Sequence, residues 1–300
     1  MMKPSAPNVV LVTGCSTGIG RAAAEHLVRR GHVVYATARR PESVEELRQW
    51  AAGMASGARA ALLDVEHPQT IEDAVTRILD EQGRIDVLIN NAGFGQAGAF
   101  EDIPLEHWRR QFEVNLFGLI EVTRRVLPGM RERRSGRIIN VSSVVAHVVV
   151  PFVGAYAATK HALDAASAAL RMELKRWGIH VVLIEPGPIQ TEFRRNVLDN
   201  VQKAMGAETR VEDSPYAEGY RVMRQRRSGP EPGAGTAEDV AAAIRLAVES
   251  RRPRTRYTVT PIARWVPLLA RLLPDRVFDA LMIRSSGLSS FATRIDRPSR

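Results

Sequence analysis

Short apolar segments of the sequence alternate with segments of helical periodicity, from the first residues to about residue 260. The apolar segments are too short for typical helices, and they are apolar throughout, as in strands buried on both faces. This alternation predicts parallel strands joined by crossover helices, because each helix covers one face of the sheet. The predicted strands are residues 8–13, 32–38, 59–64, 86–91, 136–143, 179–187 and 256–260. The predicted helices are residues 21–30, 42–52, 71–82, 105–130, 155–177 and 237–248.

The length and composition of the chain fit one large domain. It has 300 residues, 45% of them apolar, and no shift in composition or low-complexity linker divides it. We therefore predict an α/β fold, a single doubly wound Rossmann domain with a parallel sheet of about seven strands. This domain is expected to span residues 1–260, and residues 261–300 are expected to form a helical C-terminal extension packed on it.

Charge and cysteine content argue against a nucleic-acid-binding protein and exclude a disulfide-stapled one. The formal net charge is +9, with basic clusters at residues 131–137, 224–227 and 251–256. No aromatic residues are interleaved in these clusters, so we expect no nucleic-acid partner; a positive field also attracts an anionic cofactor or substrate. The single cysteine, Cys15, excludes a disulfide framework. Because a lone thiol is compatible with a reducing cytosol, and the N-terminus does not read as a signal peptide, we expect a cytoplasmic protein.

Three glycines lie in the turn between the first predicted strand and the first predicted helix: Gly14, Gly18 and Gly20. A dinucleotide pyrophosphate binds in such a turn, because amides at a helix N-terminus bind phosphate and small residues permit close approach. Gly14 is expected to make the tight turn, Gly18 to approach the phosphates, and Gly20 to let helix and strand pack closely. A flexible βα turn is the alternative. Within the turn, Cys15 is expected to be a small packing residue.

Three motifs then follow one another along the chain, and their order and spacing resemble those of the short-chain dehydrogenase/reductase family. They are Thr13-Gly14-x-x-x-Gly18-x-Gly20, Asn90-Asn91-Ala92-Gly93 and Tyr156-x-x-x-Lys160. The glycine turn, the segment "VYATARRPE" and the C-terminal extension look most like the branch that contains the 17β-hydroxysteroid and retinol dehydrogenases. This resemblance implies hydride transfer between a nicotinamide cofactor and a carbonyl or alcohol substrate that is lipophilic.

The resemblance also implies four catalytic residues. Tyr156 would be the general acid/base. Lys160, one helical turn away, would favour its phenolate together with the positive nicotinamide of the oxidised cofactor, and would bind the nicotinamide ribose. Ser143 lies thirteen residues before the tyrosine and would bind the substrate oxygen, a spacing that Ser142 does not fit. Asn115 would kink its helix and hold a water in a proton relay to the lysine. The alternative for Asn115 is a buried amide bonded to the backbone.

Basic residues follow the second predicted strand, where sites for NAD usually place an acid. Ala38 occupies that position, followed by Arg39 and Arg40. A carboxylate there would repel a 2′-phosphate, whereas a guanidinium binds it through charge-assisted hydrogen bonds. We therefore predict NADP(H), with Arg39 as the principal contact and Arg40 as a second one. NAD(H) stays the alternative, because Thr17 in the glycine turn is not basic.

The resemblance assigns further residues to the cofactor. Asp64 and Val65 match the adenine position, although an acid at a strand end also caps turns. The loop after the sixth strand would approach the nicotinamide carboxamide. The remaining predicted cofactor residues are Ser16, Thr17, Ile19, Asn91, Ala92, Gly93, Pro186, Gly187, Ile189 and Thr191. No metal site is predicted.

A helical substrate lid is implied at about residues 191–236. The predicted substrate residues are Ser143, Tyr156, Phe94, Phe152, Val153 and Phe193. His147 is expected to be a loop or pocket residue. Members of the family are commonly dimers or tetramers built on two long helices, so we expect a homodimer or homotetramer.

The segment 261–283 is apolar, basic and interrupted by prolines. Its large apolar residues can share one helical face: Trp265, Leu268, Leu269, Leu272 and Leu273. A cover over the substrate pocket or a subunit interface is the favoured interpretation, and ordinary core comes next. Contact with a membrane surface is the least favoured of the three.

Two other functions are compatible with these motifs. One is an NADP(H)-binding sensor or regulator without turnover, and the other is an NAD-preferring dehydrogenase of a small alcohol. Retention of Asn115, Ser143, Tyr156 and Lys160 together argues against the sensor, because a sensor has no chemical need of a proton donor.

Overall fold

The fold is a parallel sheet between two layers of helices. The computed structural model describes residues 7–54, 57–190, 201, 211–227, 233–289 and 291. In that part of the chain the strands are β1 (Val9–Val12), β2 (Val33–Ala38), β3 (Ala58–Leu62), β4 (Val87–Asn90), β5 (Gly136–Val141), β6 (Ile179–Glu185) and β7 (Arg256–Thr258). Their order in the sheet is β3-β2-β1-β4-β5-β6-β7, and every neighbouring pair is parallel. The predicted doubly wound, seven-stranded Rossmann fold is confirmed.

Helices connect successive strands and then continue beyond the last one. They are α1 (Gly18–Arg29), α2 (Pro41–Ala52), α3 (Pro68–Gln82), α4 (Leu105–Phe112), α5 (Gly118–Glu132), α6 (Gly154–Leu174), α7 (Ala217–Arg227), α8 (Ala237–Glu249), α9 (Pro261–Leu272) and α10 (Asp275–Ser285). The order of the strands reverses direction between β1 and β4. In open α/β sheets, ligands bind at such a point, beside the carboxyl ends of the strands.

Alternate residues of the strands face the two helical layers. In β1, Val10 and Val12 pack with apolar residues of α1, α2 and α8. Val9 and Leu11 pack on the opposite face with residues of α3 and α5. All four are almost completely buried, and burying a side chain of this size contributes about 1.5–3 kcal/mol. This two-sided burial is why the predicted strands are continuously apolar.

The predicted helix over residues 105–130 has a π turn near its middle. The turn spans Glu113–Phe117 and joins α4 to α5 without a break in the helical path. At its end, Gly118 passes close to the loop after β3: a Cβ at Gly118 would lie 2.5 Å from the Val65 carbonyl oxygen. The absence of a side chain at Gly118 permits this close approach, and the π turn includes Asn115, where a kink is predicted.

The chain after β7 forms a helical hairpin of α9 and α10. The inner side of the hairpin packs through Ala263, Phe278 and Met282 on Val144 and Val148, beside the end of β5. Among the residues that the structure describes, no helix is long and apolar enough to cross a membrane. Of the predicted lid, α7 is described, whereas Thr191 and Phe193 lie outside the described residues.

Candidate active site

Ser143, Tyr156 and Lys160 come together where β5 ends and α6 begins. The Ser143 hydroxyl accepts a hydrogen bond from the Val145 amide at 3.3 Å, and its side chain is also hydrogen-bonded to Tyr156. One turn along α6, Lys160 Nζ donates to the Val141 carbonyl oxygen at 2.9 Å and lies 5.7 Å from the centre of the Tyr156 ring. Because Tyr156 is hydrogen-bonded to Ser143, that residue is the serine beside the tyrosine, whereas the Ser142 side chain is buried.

Burial dominates the proton affinities of this pair. It raises the pKa of Tyr156 to about 12, and the hydrogen bond with Ser143 opposes the rise. It lowers the pKa of Lys160 to about 8. Burial is thus the largest influence on the pKa of Tyr156 in the protein without cofactor, and the joint effect of Lys160 and an oxidised nicotinamide on the phenolate stays a prediction. Tyr156 is a phenol at neutral pH, which is the form that donates a proton.

Asn115 lies in the π turn and fixes the loop after β4. Its Oδ1 accepts from the Phe94 amide at 3.0 Å, and its Nδ2 donates to the Phe94 carbonyl oxygen at 2.9 Å. The same Nδ2 lies 3.3 Å from the Thr159 hydroxyl, next to Lys160 in sequence. The amide is buried and bonded mainly to backbone, as in the alternative interpretation. Because the side chain is used in this way, any water relay would have to start from the Asn115 main chain.

The glycine turn has the backbone conformation that glycine permits. Gly14 and Gly18 have φ angles of +72° and +62°, in the left-handed region. A Cβ on Gly20 would lie 2.3 Å from the Gly14 carbonyl oxygen. Asn91 Nδ2 holds the turn by donating to the carbonyl oxygens of Thr13 (3.0 Å) and Gly14 (2.9 Å). Asn91, just after β4, therefore fixes the position of the glycine turn.

Thr13 contributes to the same structure and was not among the predicted site residues. Its hydroxyl accepts from the amides of Asn91 and Ala92, both at 3.0 Å. The side chain therefore joins the end of β1 to the end of β4. A threonine that ends the first strand, just before the first glycine, is the signal that could have identified it.

The start of α1 fits a dinucleotide pyrophosphate. Thr17 is the N-cap residue, its side chain makes no capping hydrogen bond, and the first turn contains no acid. Helix α8 differs, because Thr236 and Asp239 form a capping box in which each side chain accepts from the other residue's amide. Since amides at a helix N-terminus bind anions, the uncapped turn over Ser16 to Gly20 is suited to phosphate. Cys15 is buried, and burial raises the pKa of its thiol to about 12, as expected for a packing residue.

Arg39 follows β2 and is exposed at the side of the site. Its side chain is 57% exposed, and Nη1 lies 3.9 Å from a Glu66 carboxylate oxygen. Arg110 already binds that carboxylate through two hydrogen bonds, of 3.0 and 3.1 Å. Arg39 therefore has a weak, distant ion pair that a phosphate could replace. Arg40 is the exposed N-cap residue of α2, and Ala38 is buried at the end of β2.

Asp64 and Val65 lie in the loop after β3. Asp64 Oδ1 accepts from the Glu66 amide at 3.0 Å, so the carboxylate caps this turn. The Val65 side chain is buried in the core. Contact between Val65 and a cofactor would therefore have to come from its backbone. At the neighbouring strand end, Ala92 is half-buried and Gly93 is exposed.

The loop after β6 is tied to the loop that carries Ser143. The Val144 amide donates to the Pro186 carbonyl oxygen at 2.8 Å. Gly187 lies against Thr260, where an added Cβ would be 2.1 Å from Oγ1. Ile189 is buried and forms a parallel bridge with Gly235. The loop predicted to face the nicotinamide is thus held at three points.

A cavity of about 330 Å³ lies beside the start of α6. Its lining is Gly98, Phe100, Trp108, Val149, Val150, Pro151, Phe152, Gly154, Asp279, Met282 and Ile283. Of the predicted substrate residues, Phe152 lines this cavity, whereas Phe94 packs against the core and Val153 belongs to an adjacent apolar cluster. Phe152 has a φ of +67°, a strained conformation for a bulky residue.

A cluster of charged residues behind the site was not predicted. His147 Nε2 lies 3.0 Å from Glu185 Oε1, and Arg256 contacts both Glu185 and Asp164. Glu185 is almost completely buried, which requires such partners. The guanidinium lies between the two carboxylates, so we interpret the cluster as an ion pair rather than a metal site. An acid that ends an apolar strand, just before Pro186, is the sequence signal.

Fold and site together define a dinucleotide-binding domain with a serine, a tyrosine and a lysine beside the switch point of the sheet. The short chain dehydrogenase family model matches residues 8–202. The chain belongs to the short-chain dehydrogenase family.

Known proteins resemble the chain over most of its length. It is 34% identical to 3-ketodihydrosphingosine reductase of Bacteroides thetaiotaomicron (92% of this chain, 99% of the relative). It is 35% identical to retinol dehydrogenase 8 of Homo sapiens (85% and 82%) and 30% identical to NADPH-dependent 3-dehydrocapnine reductase of Ornithobacterium rhinotracheale (91% and 95%). The crystal structure of a short-chain dehydrogenase from Streptomyces avermitilis has a TM-score of 0.75 at 34% identity (97% of this chain, 100% of that one). The retinol dehydrogenase-like resemblance is confirmed.

Proposed function

We propose that this protein is an NADP(H)-dependent oxidoreductase that reduces or forms a lipophilic carbonyl compound, with Tyr156 as general acid/base. The observation that carries the proposal is the cluster of Ser143, Tyr156 and Lys160 at the end of β5. It lies in a sheet whose switch point holds an uncapped glycine turn.

Ser143 and Tyr156 have different roles at the substrate oxygen. The bound cofactor supplies or accepts the hydride. In reduction, the Ser143 hydroxyl donates a hydrogen bond to the substrate carbonyl oxygen, and the Tyr156 phenol donates the proton to that oxygen. With a pKa raised to about 12, the phenol is protonated at neutral pH and ready for this step. In oxidation, Tyr156 accepts the proton, which requires added positive charge near the phenolate.

Lys160 has two tasks in this scheme: it places a positive charge near the phenol and binds the nicotinamide ribose. Its pKa, lowered to about 8 by burial, means that the charge is present at neutral pH and is lost as the pH rises through about 8. Rates of reduction should therefore decline above that pH, well before the phenol itself titrates.

The preference for NADP(H) rests on Arg39 and Arg40. Arg39 is exposed beside the end of β2, and its nearest acid, Glu66, is bound by Arg110. The name of the 3-dehydrocapnine reductase states that it depends on NADPH. We assign Arg39 as the principal contact of the 2′-phosphate.

The lipophilic substrate class rests on the relatives and on the cavity, which reaches Gly154, two residues before Tyr156, but is not lined by Ser143 or Tyr156. Apart from Asp279 and three small or cyclic residues, the cavity is lined by large apolar side chains, among them Phe100, Trp108 and Phe152. Two relatives are named for a ketone of dihydrosphingosine and for retinol, which are lipophilic compounds. We therefore expect long or ring-containing ketones, aldehydes and alcohols to be better substrates than small ones.

The test is a panel of carbonyl compounds with NADPH and of alcohols with NADP⁺, run with wild type and Tyr156→Phe. Wild-type turnover of lipophilic members, lost in the variant with NADPH binding intact, is the expected result. NADPH binding without turnover of any member would favour a sensor. A lower KM for NADH than for NADPH would refute the cofactor assignment.

We also propose that the protein is a homodimer or homotetramer assembled through the helices α5 and α6. Phe117, which precedes α5, and Met172, which lies in α6, have large side chains that are 52% and 70% exposed. Light scattering at micromolar concentration tests this proposal, and a monomer would refute it.

A further inference from the structure

The outer side of the helical hairpin exposes large apolar side chains to solvent. In α9 these are Trp265 (57% exposed), Leu268 (45%), Leu269 (41%) and Leu272 (79%). In α10 they are Val277 (52%) and Leu281 (38%). We call these six residues the outer apolar face.

The exposure of this face follows from the helical period and not from an unpacked hairpin. Ala263 of α9 points inward and is 2% exposed, and Phe278 and Met282 of α10 are buried against the loop after Ser143. Positions 265, 268 and 272 fall on the side of α9 opposite to Ala263. The hairpin is thus apolar on both sides, so the inner packing leaves a second apolar surface uncovered.

Arginines border the outer apolar face. The same two helices carry four exposed arginines: Arg264, Arg271, Arg276 and Arg284. They carry only two acids, Asp275 and Asp279. Within the described part of the chain, none of the four arginines lies within ion-pair distance of a carboxylate. The Arg264 guanidinium instead lies over the Trp265 ring, 5.4 Å from its centre. An apolar surface with a tryptophan and free cationic side chains at its edge is typical of helices that lie on lipid headgroups.

We propose that the outer apolar face binds to the surface of an anionic phospholipid bilayer. The charges favour a bilayer over a second copy of this chain. A two-fold contact would bring the same surface of both copies together, arginines included, and like charges repel. An anionic bilayer instead offers negative headgroups to the arginines and acyl chains to Trp265 and the leucines. The chain as a whole, with a net charge of +9, is attracted to such a surface.

The position of the hairpin gives the contact a consequence for substrate delivery. The inner side of α10 contributes Asp279, Met282 and Ile283 to the cavity beside α6. The cavity also includes Phe100 and Val149, which are 79% and 51% exposed. One hairpin therefore separates the bilayer from the cavity, and a lipophilic molecule can pass from one to the other by a short path. This consequence rests on the proposed function, whereas binding to the bilayer does not.

The experiment is co-sedimentation of the full-length protein with large unilamellar vesicles. The vesicles consist of phosphatidylcholine alone or of phosphatidylcholine mixed with phosphatidylglycerol. We expect wild type to sediment with the anionic vesicles, less at high salt, and only weakly with the neutral ones. Replacing Trp265, Leu268 and Leu272 together by serine should weaken binding at least about tenfold, because three large apolar side chains are lost from the contact.

A control variant and an arginine variant test the apolar and the electrostatic contributions to vesicle binding separately. The control, Leu79→Ser with Leu246→Ser, removes exposed apolar side chains from α3 and α8 and should bind like wild type. Arg264→Gln with Arg271→Gln should weaken binding to anionic vesicles by roughly fivefold per arginine, and should not change binding to neutral ones. Thermal unfolding of each variant establishes that it is folded.

Three results would overturn the proposal. Wild type could fail to sediment with either kind of vesicle, or the triple serine variant could bind as tightly as wild type. The triple variant could also become monomeric by sedimentation velocity while wild type binds no vesicles, which would assign the face to a second copy. Tyr156→Phe should bind vesicles like wild type, so failure of the proposed chemistry is distinguishable from failure of this proposal.

Discussion

Replacing Lys160 by methionine should make the protein more stable at neutral pH and less stable at high pH. Lys160 is only 6% exposed, and its Nζ has one hydrogen bond to a backbone oxygen, that of Val141. Burial lowers its pKa from 10.5 to about 8. The folded protein therefore keeps a charged ammonium in an environment that disfavours it.

The magnitude follows from this shift and from the hydrogen bond. A shift from 10.5 to about 8 corresponds to a cost of about 3 kcal/mol for the charged form in the folded state. Methionine is apolar and of similar length, so it removes this cost, but it also leaves the Val141 carbonyl oxygen without its donor. That loss is about 1–2 kcal/mol. The variant should thus be about 1–2 kcal/mol more stable than wild type at pH 7.

The dependence on pH has a definite sign. Between about pH 8 and 10.5 the unfolded state binds more protons than the folded one, so wild-type stability rises with pH. The cost of burying the charge is fully present below that window and is gone above it. The advantage of Lys160→Met should therefore be constant below about pH 8, shrink through the window and reverse by about 1–2 kcal/mol above it.

Urea unfolding followed by circular dichroism, at a series of pH values, measures this difference. Lys175→Met is the matched control, because Lys175 is exposed just beyond the end of the same helix. The control should change stability little and show no reversal. If Lys160→Met were less stable than wild type at pH 7, or its difference from wild type did not vary with pH, the reasoning from burial would be refuted.

Two further substitutions test the predicted cofactor contact of Arg39 and the packing of Tyr220, which lies in α7 of the predicted lid. Arg39→Ala should raise the KM for NADPH at least about tenfold and leave the KM for NADH within about twofold, because the 2′-phosphate loses a charge-assisted hydrogen bond; equal changes for both cofactors would contradict the assignment. Tyr220→Phe should destabilise the protein by about 1–3 kcal/mol in urea unfolding, because its buried hydroxyl donates to Asp102 at 2.7 Å. Tyr216→Phe, whose ring is only half-buried, should cost less, and the opposite ranking would contradict this account.

Much of the fold could be predicted because its signals are local. Each strand carries its own apolar run and each helix its own period, so the alternation was enough to predict the sheet and both layers. That Tyr156 and Lys160 lie on one face of a helix could be predicted for the same reason, because they are one helical turn apart; their catalytic role stays a prediction from the family resemblance. Their resemblance to a family supplied Ser143 and its spacing.

Other features arise from residues that are distant in sequence. The contacts of Glu185 with His147 and Arg256 join positions 38 and 71 residues apart, and no local pattern pairs them. The positive φ of Phe152 likewise has no local sequence signal, and its ring packs near Tyr220, 68 residues away in the chain, at 5.3 Å between ring centres. Such features require the tertiary structure.

The proton affinities show the same limit. The sequence predicts that Lys160 and a positive nicotinamide favour the phenolate of Tyr156, because charge attraction is the effect that the spacing of the two residues reveals. In the structure the desolvation of both side chains is the larger effect, and it raises the pKa of the tyrosine and lowers that of the lysine. Burial depends on the whole fold, so its size could not be inferred from five residues.

The central claim is that Tyr156 donates the proton when hydride is transferred. It is tested most directly by single-turnover oxidation of NADPH with the carbonyl compound that wild type reduces fastest, comparing wild type with Tyr156→Phe. We expect the rate to fall by about 100- to 10,000-fold while the Kd for NADPH, from its fluorescence, changes less than about twofold. A variant that transfers hydride at close to the wild-type rate would contradict the account.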